Sequence, residues 1–324
     1  MSAAPYPALG GAGARRLLES DARIVVVGAG GWLGMATLEL LHGLFGADFA
    51  RRVVAFGSNA RTLELRGGVR VAQRPLTSLD RLAPAPSLVL HLAFLTQEKA
   101  RAMGEADYVS SNRAISGAVL TALDRIGAEA VFVASSGAAA MASDPAAEAS
   151  KRLYGALKLK DEAAFGAWAE ANGGTAAIAR VFNLSGPYIN KRTSYALACF
   201  IDDALAGRRI SIRSGRPTWR SYVAIEEMMG VVFGVLTAGA AETVRFDTAG
   251  DAVYEMADIA GIVREVLGPG LAIDRPALTN EQPDRYVGDA ASYRKLRRRI
   301  NVEPVGFANQ VRRTARFMAA RGEA

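Results

Sequence analysis

Arg23-Ile24-Val25-Val26-Val27-Gly28-Ala29-Gly30-Gly31-Trp32-Leu33-Gly34 is an apolar, β-branched run that breaks into glycines and then into a helical pattern. Strand, glycine turn and helix in that order suit a dinucleotide pyrophosphate. Gly28 permits the tight turn, Gly31 lets backbone approach the anion, and Gly34 lets the helix pack close to the sheet. The helix start at Trp32, Leu33 and Gly34 offers free N–H groups and the positive end of a dipole. Glycine patterns also occur in purely structural turns, so the surroundings decide.

Outward from this turn, short apolar runs alternate with helical stretches. Ile24–Val27, Val53–Phe56, Ser87–Leu92, Val131–Ala134 and Thr175–Phe182 suit strands buried on both faces. Leu33–Leu44, Tyr108–Ile126 and Lys151–Asn172 carry the helical pattern between them. The alternation predicts an α/β fold, a Rossmann-type doubly wound parallel sheet. After Asn183 the texture changes to shorter pieces. Strands are expected at Arg209–Ile212 and Tyr222–Ile225, and helices at Ser194–Ala206, Glu226–Thr237 and Met256–Val266; Asp284–Arg299 and Gly306–Ala319 close the chain. The expected organisation is a dinucleotide-binding domain over 22–183 and a smaller C-terminal α/β substrate-binding lobe over 184–324, interleaved with the last strands of the first. Residues 1–21, rich in Ala, Gly and Pro, are expected to be a loosely ordered extension with no more than a short helix around Ala14–Glu19.

The formal charge of +7 comes from 39 Lys plus Arg against 32 Asp plus Glu. Part of the excess is the run Arg294-Lys295-Leu296-Arg297-Arg298-Arg299, which suits a solvated helix face. No aromatic interleaving or binding motif supports nucleic acid, and the positive field favours small anions such as nucleotides. One cysteine, Cys199, gives no disulfide framework and no thiolate metal site. His42 and His91 are too far apart in sequence to form a metal cluster. No apolar run is long enough to span a membrane, and a reducing, cytoplasmic setting is expected.

The second strand of such a sheet ordinarily ends near a carboxylate that holds the ribose hydroxyls of NAD. Val53–Phe56 is followed instead by Gly57-Ser58-Asn59-Ala60-Arg61. Ser58 and Arg61 suit a 2′-phosphate, so the cofactor is expected to be NADP, with NAD the alternative. Further along, Tyr154 and Lys158 sit at i and i+4 and share one helix face. A nearby ammonium favours the phenolate, which tunes tyrosine toward acid–base work. Ser135 and Ser136 end the strand Val131–Ala134, at the edge where ligands bind in these sheets.

These motifs together resemble the extended short-chain dehydrogenase/reductases, the nucleotide-sugar epimerase/dehydratase family in particular. The resemblance runs from Gly28, Gly31 and Gly34 through His91-Leu92-Ala93 to Asn112 on the following helix. It continues through Val133-Ala134-Ser135-Ser136, with Ser136 at the catalytic position, to Tyr154 and Lys158. It implies cofactor contacts at Leu92, Ala93, Asn112, Ser135, Tyr154 and Lys158. Arg180-Val181-Phe182-Asn183-Leu184-Ser185-Gly186-Pro187 and Arg220-Ser221-Tyr222-Val223 resemble the segments whose asparagine and arginine grip the substrate diphosphate. Asn183 and Arg220 are therefore the implied substrate ligands, and a planar guanidinium suits phosphate. Asp284-Arg285-Tyr286-Val287-Gly288-Asp289 resembles a segment before the terminal helices. The family's pairing of two helices from each subunit implies a homodimer through Tyr108–Ile126 and Lys151–Asn172.

The chain also departs from that pattern. Gln73-Arg74-Pro75-Leu76 stands where an adenine-contacting aspartate ends the third strand. Ser136-Gly137-Ala138 lacks the Asp-Glu pair that eliminates water in the dehydratases. Epimerisation through an enolate would want a cysteine or histidine in the site, and Cys199 and His91 lie elsewhere in sequence. What remains is hydride transfer at C4 of a nucleotide-diphosphate sugar. The first reading is a 4-ketoreductase using NADPH; the second is a 4-epimerase holding NAD. A reductase of a non-sugar carbonyl and a non-catalytic NADP-binding regulator are lesser alternatives.

Overall fold

A computed structural model describes residues 8–320. Eight strands form the central sheet: β1 (Arg23–Val27), β2 (Val53–Gly57), β3 (Arg61–Glu64), β4 (Arg70–Pro75), β5 (Ser87–His91), β6 (Ala128–Ser136), β7 (Thr175–Val181) and β8 (Thr243–Asp247). Their order is β8-β7-β6-β5-β1-β2-β4-β3. All pairings are parallel except β3 on β4. The order reverses at β1, which lies between β2 and β5, so the ends of these strands border the crevice where ligands bind in open α/β sheets.

Alternation along β1 serves the two faces. Ile24 and Val26 enter one core with the helices Trp32–Phe45 and Ile225–Leu236. Val25 and Val27 enter the other with Glu105–Arg125 and Ala149–Asn172. A third core joins the helices Ala196–Leu205, Met256–Leu267 and Phe307–Ala320. The expected α/β architecture is therefore present. The sequence reading passed over β3 and β8 and knew β4 only by its end at Gln73–Leu76. β8 comes from beyond residue 183 and pairs with β7, so the C-terminal half contributes to the central sheet.

The smaller lobe is tied by short pairings. Val223–Ala224 lies on Leu184–Ser185, and Ile210–Ser211 on Ile273–Asp274. Thr218–Arg220 runs between Tyr254–Glu255 and Asp284–Tyr286, with Arg220 directly opposite Tyr286.

The N-terminal stretch corrects the expectation of a loose extension. Gly11–Glu19 is a helix, and Leu17 is fully buried; residues 1–7 lie outside the described part. The reason is its neighbour. All twelve residues of Ile225–Leu236 are buried, so that apolar helix needs cover on the side away from the sheet. The two helices cross so closely that a Cβ on Gly13 would lie 2.4 Å from the Gly234 nitrogen. Gly13→Ala is therefore expected to cost about 1–3 kcal/mol and to expose residues 11–19. Chemical denaturation and hydrogen exchange measure both; unchanged stability and protection would refute this packing.

Candidate active site

The glycine turn fits a dinucleotide by close approach. Gly28 has φ +89°, and a Cβ on it would lie 2.6 Å from the Ala93 nitrogen. A Cβ on Gly34 would lie 2.3 Å from the Gly28 oxygen. Gly31 caps the helix Trp32–Phe45 with no side-chain acceptor, so the N–H groups at its start face the turn. Trp32 looks the other way: its indole N–H donates to the Pro187 carbonyl at 2.8 Å, and its ring meets Tyr195 edge-on. It joins the turn to the second lobe. Asn112 is buried and holds the loop after β5, accepting from the Leu95 N–H at 2.8 Å.

At the other end of the turn, Arg61 reaches back to the Gly30 carbonyl at 3.4 Å. Ser58 is exposed beside it, and residues 57–61 contain no carboxylate. Gln73 on β4 is buried there and donates to the Asn59 carbonyl at 2.8 Å.

Ser136, Tyr154 and Lys158 come together where β6 ends. The helix Ala149–Asn172 carries Tyr154 and Lys158, and it presses so tightly on the turn after Ser136 that a Cβ on Gly155 would lie 2.1 Å from the Ala138 oxygen. The Ser136 hydroxyl accepts from the Ala138 N–H at 3.2 Å and lies 3.4 Å from the Tyr286 hydroxyl. Burial pushes the Tyr154 phenol well above its ordinary range, against the opposing hydrogen bond from Ser136. This corrects the expectation that Lys158 lowers it. The Lys158 ammonium donates to the Ala134 carbonyl at 2.7 Å and lies 3.7 Å from the centre of the Phe94 ring, but 5.9 Å from that of Tyr154. Burial lowers Lys158 to about 8.

Ser135 points away from this group. Its hydroxyl donates to Glu162 at 2.5 Å, and Glu162 pairs with Arg180 at 2.8 Å. The side-chain contact expected of Ser135 toward a cofactor is thus replaced by a buried network. Beside it, His91 lies 3.7 Å from Asp161 and 3.4 Å from Ser116, and burial lowers its pKa. Asp161 and Glu162 sit one turn beyond Lys158, and buried acids at i+3 and i+4 were a signal present in the sequence.

A cleft of about 610 Å³ opens beside Tyr286. Arg213, Arg216, Arg220 and Lys151 line it, with Asp284 as the acid among them. Arg220 pairs with Asp284 at 2.7 Å. Asn183 also lines the cleft, but its amide donates to the backbone oxygens of Ser221 and Tyr286 at 3.2 and 3.1 Å. Cys199 reaches the cleft wall despite its distance in sequence, and burial pushes its thiol up. The sequence reading missed Tyr286, Arg213 and Arg216. Among the described residues, no group of three or more His, Cys, Asp or Glu is placed to hold a metal, and no helix is long and apolar enough to cross a membrane.

Residues 24–274 match the NAD dependent epimerase/dehydratase family, and the chain belongs to it. Its members are NAD-dependent enzymes of the short-chain dehydrogenase/reductase type. No curated protein sequence matches the chain. Among solved structures it is similar to the UDP-N-acetylglucosamine 4-epimerase of Methanobrevibacter ruminantium in complex with UDP-N-acetylmuramic acid. That match has a TM-score of 0.73 at 18% identity over 93% of this chain and 99% of the other. It is similar as well to the UDP-glucose 4-epimerase of Thermus thermophilus in complex with NAD, with a TM-score of 0.66 at 19% identity over 93% and 100%. The dTDP-glucose 4,6-dehydratase of Streptomyces venezuelae, with NAD bound, gives a TM-score of 0.69 at 20% identity over 93% and 98%.

The buried ammonium has a testable consequence. Lys158 titrates near 8 when folded and near its ordinary 10.5 when unfolded. Between those values the unfolded chain binds more protons, so this group's contribution to stability rises with pH. Below 8 its full penalty applies. Lys158→Met is expected to be more stable than the parent at pH 7 by roughly 1–3 kcal/mol, the gap closing toward pH 10. Equal melting temperatures at pH 7 would contradict the lowered pKa.

Proposed function

We propose that this protein transfers hydride at C4 of a nucleotide-diphosphate sugar with NADP as cofactor, as a 4-ketoreductase. The observation that carries the substrate class is the cleft in which Arg213, Arg216, Arg220 and Lys151 converge beside Ser136 and Tyr286. Arg220 is partly buried and Arg213 and Arg216 are exposed at the rim, and guanidinium groups suit a diphosphate. On this reading the phosphates displace Asp284 from Arg220, while Asn183 fixes the strand edge that presents them.

The glycine turn, Leu92, Ala93 and the amides of Trp32, Leu33 and Gly34 would hold the cofactor, with Ser58 and Arg61 at its adenosine end. Bound there, the nicotinamide supplies the hydride. The chain's own residues handle the oxygen and the proton. Ser136 holds the sugar oxygen, and Tyr154 passes the proton. Burial keeps the Tyr154 phenol protonated, which is the form that donates to a ketone oxygen. What favours reduction is the lack of a carboxylate in residues 57–61 beside Ser58 and Arg61, which suits NADPH. Lys158 places a positive charge beneath the site. The protein is also proposed to form a homodimer through the helices Glu105–Arg125 and Ala149–Asn172. On the second of these Leu159, Ala163 and Ala167 are exposed. Sedimentation giving only monomer at micromolar concentration would sink that part.

Two measurements test the reaction. Mass spectrometry of nucleotide released from denatured protein should find no stoichiometric NAD; its recovery would indicate the 4-epimerase instead. Calorimetry with UDP, dTDP, GDP and CDP should find one that binds, and Arg220→Ala should weaken it about tenfold without changing NADPH affinity. Absence of binding by all four would reject the nucleotide-sugar reading. Tyr154→Phe should then lower kcat by about 10²–10⁴ on the matching 4-keto sugar nucleotide.

A further inference from the structure

We infer that Gln73 is the ribose acceptor at the adenosine end of the site, standing in for the missing carboxylate and, being neutral, selecting NADPH over NADH. The inference rests on the dinucleotide reading of the glycine turn.

Position 57 ends β2, where a carboxylate ordinarily takes the ribose hydroxyls. It is glycine here, and the space is occupied. A Cβ on Gly57 would lie 2.4 Å from the amide carbon and nitrogen of Gln73 and 2.5 Å from its oxygen. Gln73 starts lower on the neighbouring strand, its Cα opposite Ala55. Its side chain extends toward the carboxyl edge and puts its amide against Gly57. A side chain at 57 and the amide of Gln73 compete for one volume.

The amide also has a defined direction. Its nitrogen donates to the Asn59 carbonyl at 2.8 Å, which leaves Oε1 facing the glycine turn. There Oε1 lies 2.9 Å from where a Cβ on Gly30 would be. Gln73 is 3% exposed, and Oε1 has no hydrogen-bond partner. A buried acceptor without a donor is rare and costly. This one borders the turn that fits a pyrophosphate, where the Arg61 guanidinium nitrogen covers it, 1.8 Å from the same Gly30 Cβ position; once Arg61 swings out to a 2′-phosphate, a ribose hydroxyl is the donor that would satisfy it.

Its neutrality matters as much as its position. Arg61 reaches the same Gly30 carbonyl, and a carboxylate there would pair with it and repel a 2′-phosphate. A neutral amide accepts from the remaining ribose hydroxyl and leaves the guanidinium free for the phosphate.

Calorimetric affinities of the full-length protein for NADPH and NADH test this, with melting temperatures to confirm folding. Gln73→Glu keeps an acceptor and adds charge. It should weaken NADPH about tenfold while NADH binds as well or better. Gln73→Met removes the acceptor and should weaken both nucleotides about fivefold or more. Gly57→Asp alone clashes with Gln73, but Gly57→Asp with Gln73→Ala restores a carboxylate and should prefer NADH. If the folded Glu and Met variants bind both nucleotides as the parent does, Gln73 only braces the Asn59 loop and the inference falls. If the parent prefers NADH, the NADP reading and the selection clause fall; a loss of both affinities in the Met variant would still uphold Gln73 as ribose acceptor.

Discussion

The backbone of the β1 turn lies so close to the loop after β5 that no side chain fits between them. Gly28 and Gly34 are the positions where a Cβ would strike main-chain atoms, at 2.6 and 2.3 Å. Backbone cannot yield as a side-chain tip can, so this contact fixes the helix Trp32–Phe45 against the sheet and aims its first amides across the strand ends. Most of the rest follows. Asn112 and Tyr108 hold the adjoining loop at Leu95. Trp32, first residue of that helix, donates to Pro187 and so registers the second lobe against the turn.

The parts legible in the sequence are those encoded locally. β1, β2, β5, β6 and β7 carry apolar runs at their centres because both their faces are buried there, and the glycine turn and the Tyr154–Lys158 spacing need no knowledge of distant residues. β8, Thr-Val-Arg-Phe-Asp, is an edge strand with one exposed residue and two acceptable faces, so its pattern is weak. β3 and β4 carry the charges Arg61, Glu64, Arg70 and Arg74 outward, which disguised an edge hairpin as a loop. The helix Gly11–Glu19 was legible only as a short piece around Ala14–Glu19, and the reason it packs is visible elsewhere. Ile225–Leu236 is apolar apart from Glu226 and Glu227 in its first turn, and such a helix requires cover on nearly every side.

The candidate site divides along the same line. Ser136, Tyr154 and Lys158 share one strand end and one helix. Tyr286, Arg213 and Arg216 arrive from segments 55 to 150 residues away, beside pairings only two or three residues long. Such short pairings leave no periodicity to read. The effect of Lys158 on Tyr154 failed for a different reason. Spacing on a helix establishes a shared face, but not where an ammonium on a flexible stem will point, and the Ala134 carbonyl and Phe94 ring claim it.

The two lobes meet chemically at one hydroxyl. Ser136 has two lone pairs and one proton. The Ala138 N–H takes one lone pair, and the Tyr286 hydroxyl lies at 3.4 Å. An incoming oxygen therefore competes with Tyr286 for this hydroxyl. Tyr154 is fixed to the same helix as Lys158. Tyr286 sits at the end of a three-residue strand, and its 3.4 Å contact is longer than the 3.2 Å hydrogen bond from Ala138. It is the partner that yields. Its strand also pairs Asp284 with the Arg220 guanidinium, so a ligand that draws Arg220 away from Asp284 acts on the same segment that releases Ser136. Residues 284–286 thus join the arginine-lined cleft to the serine hydroxyl.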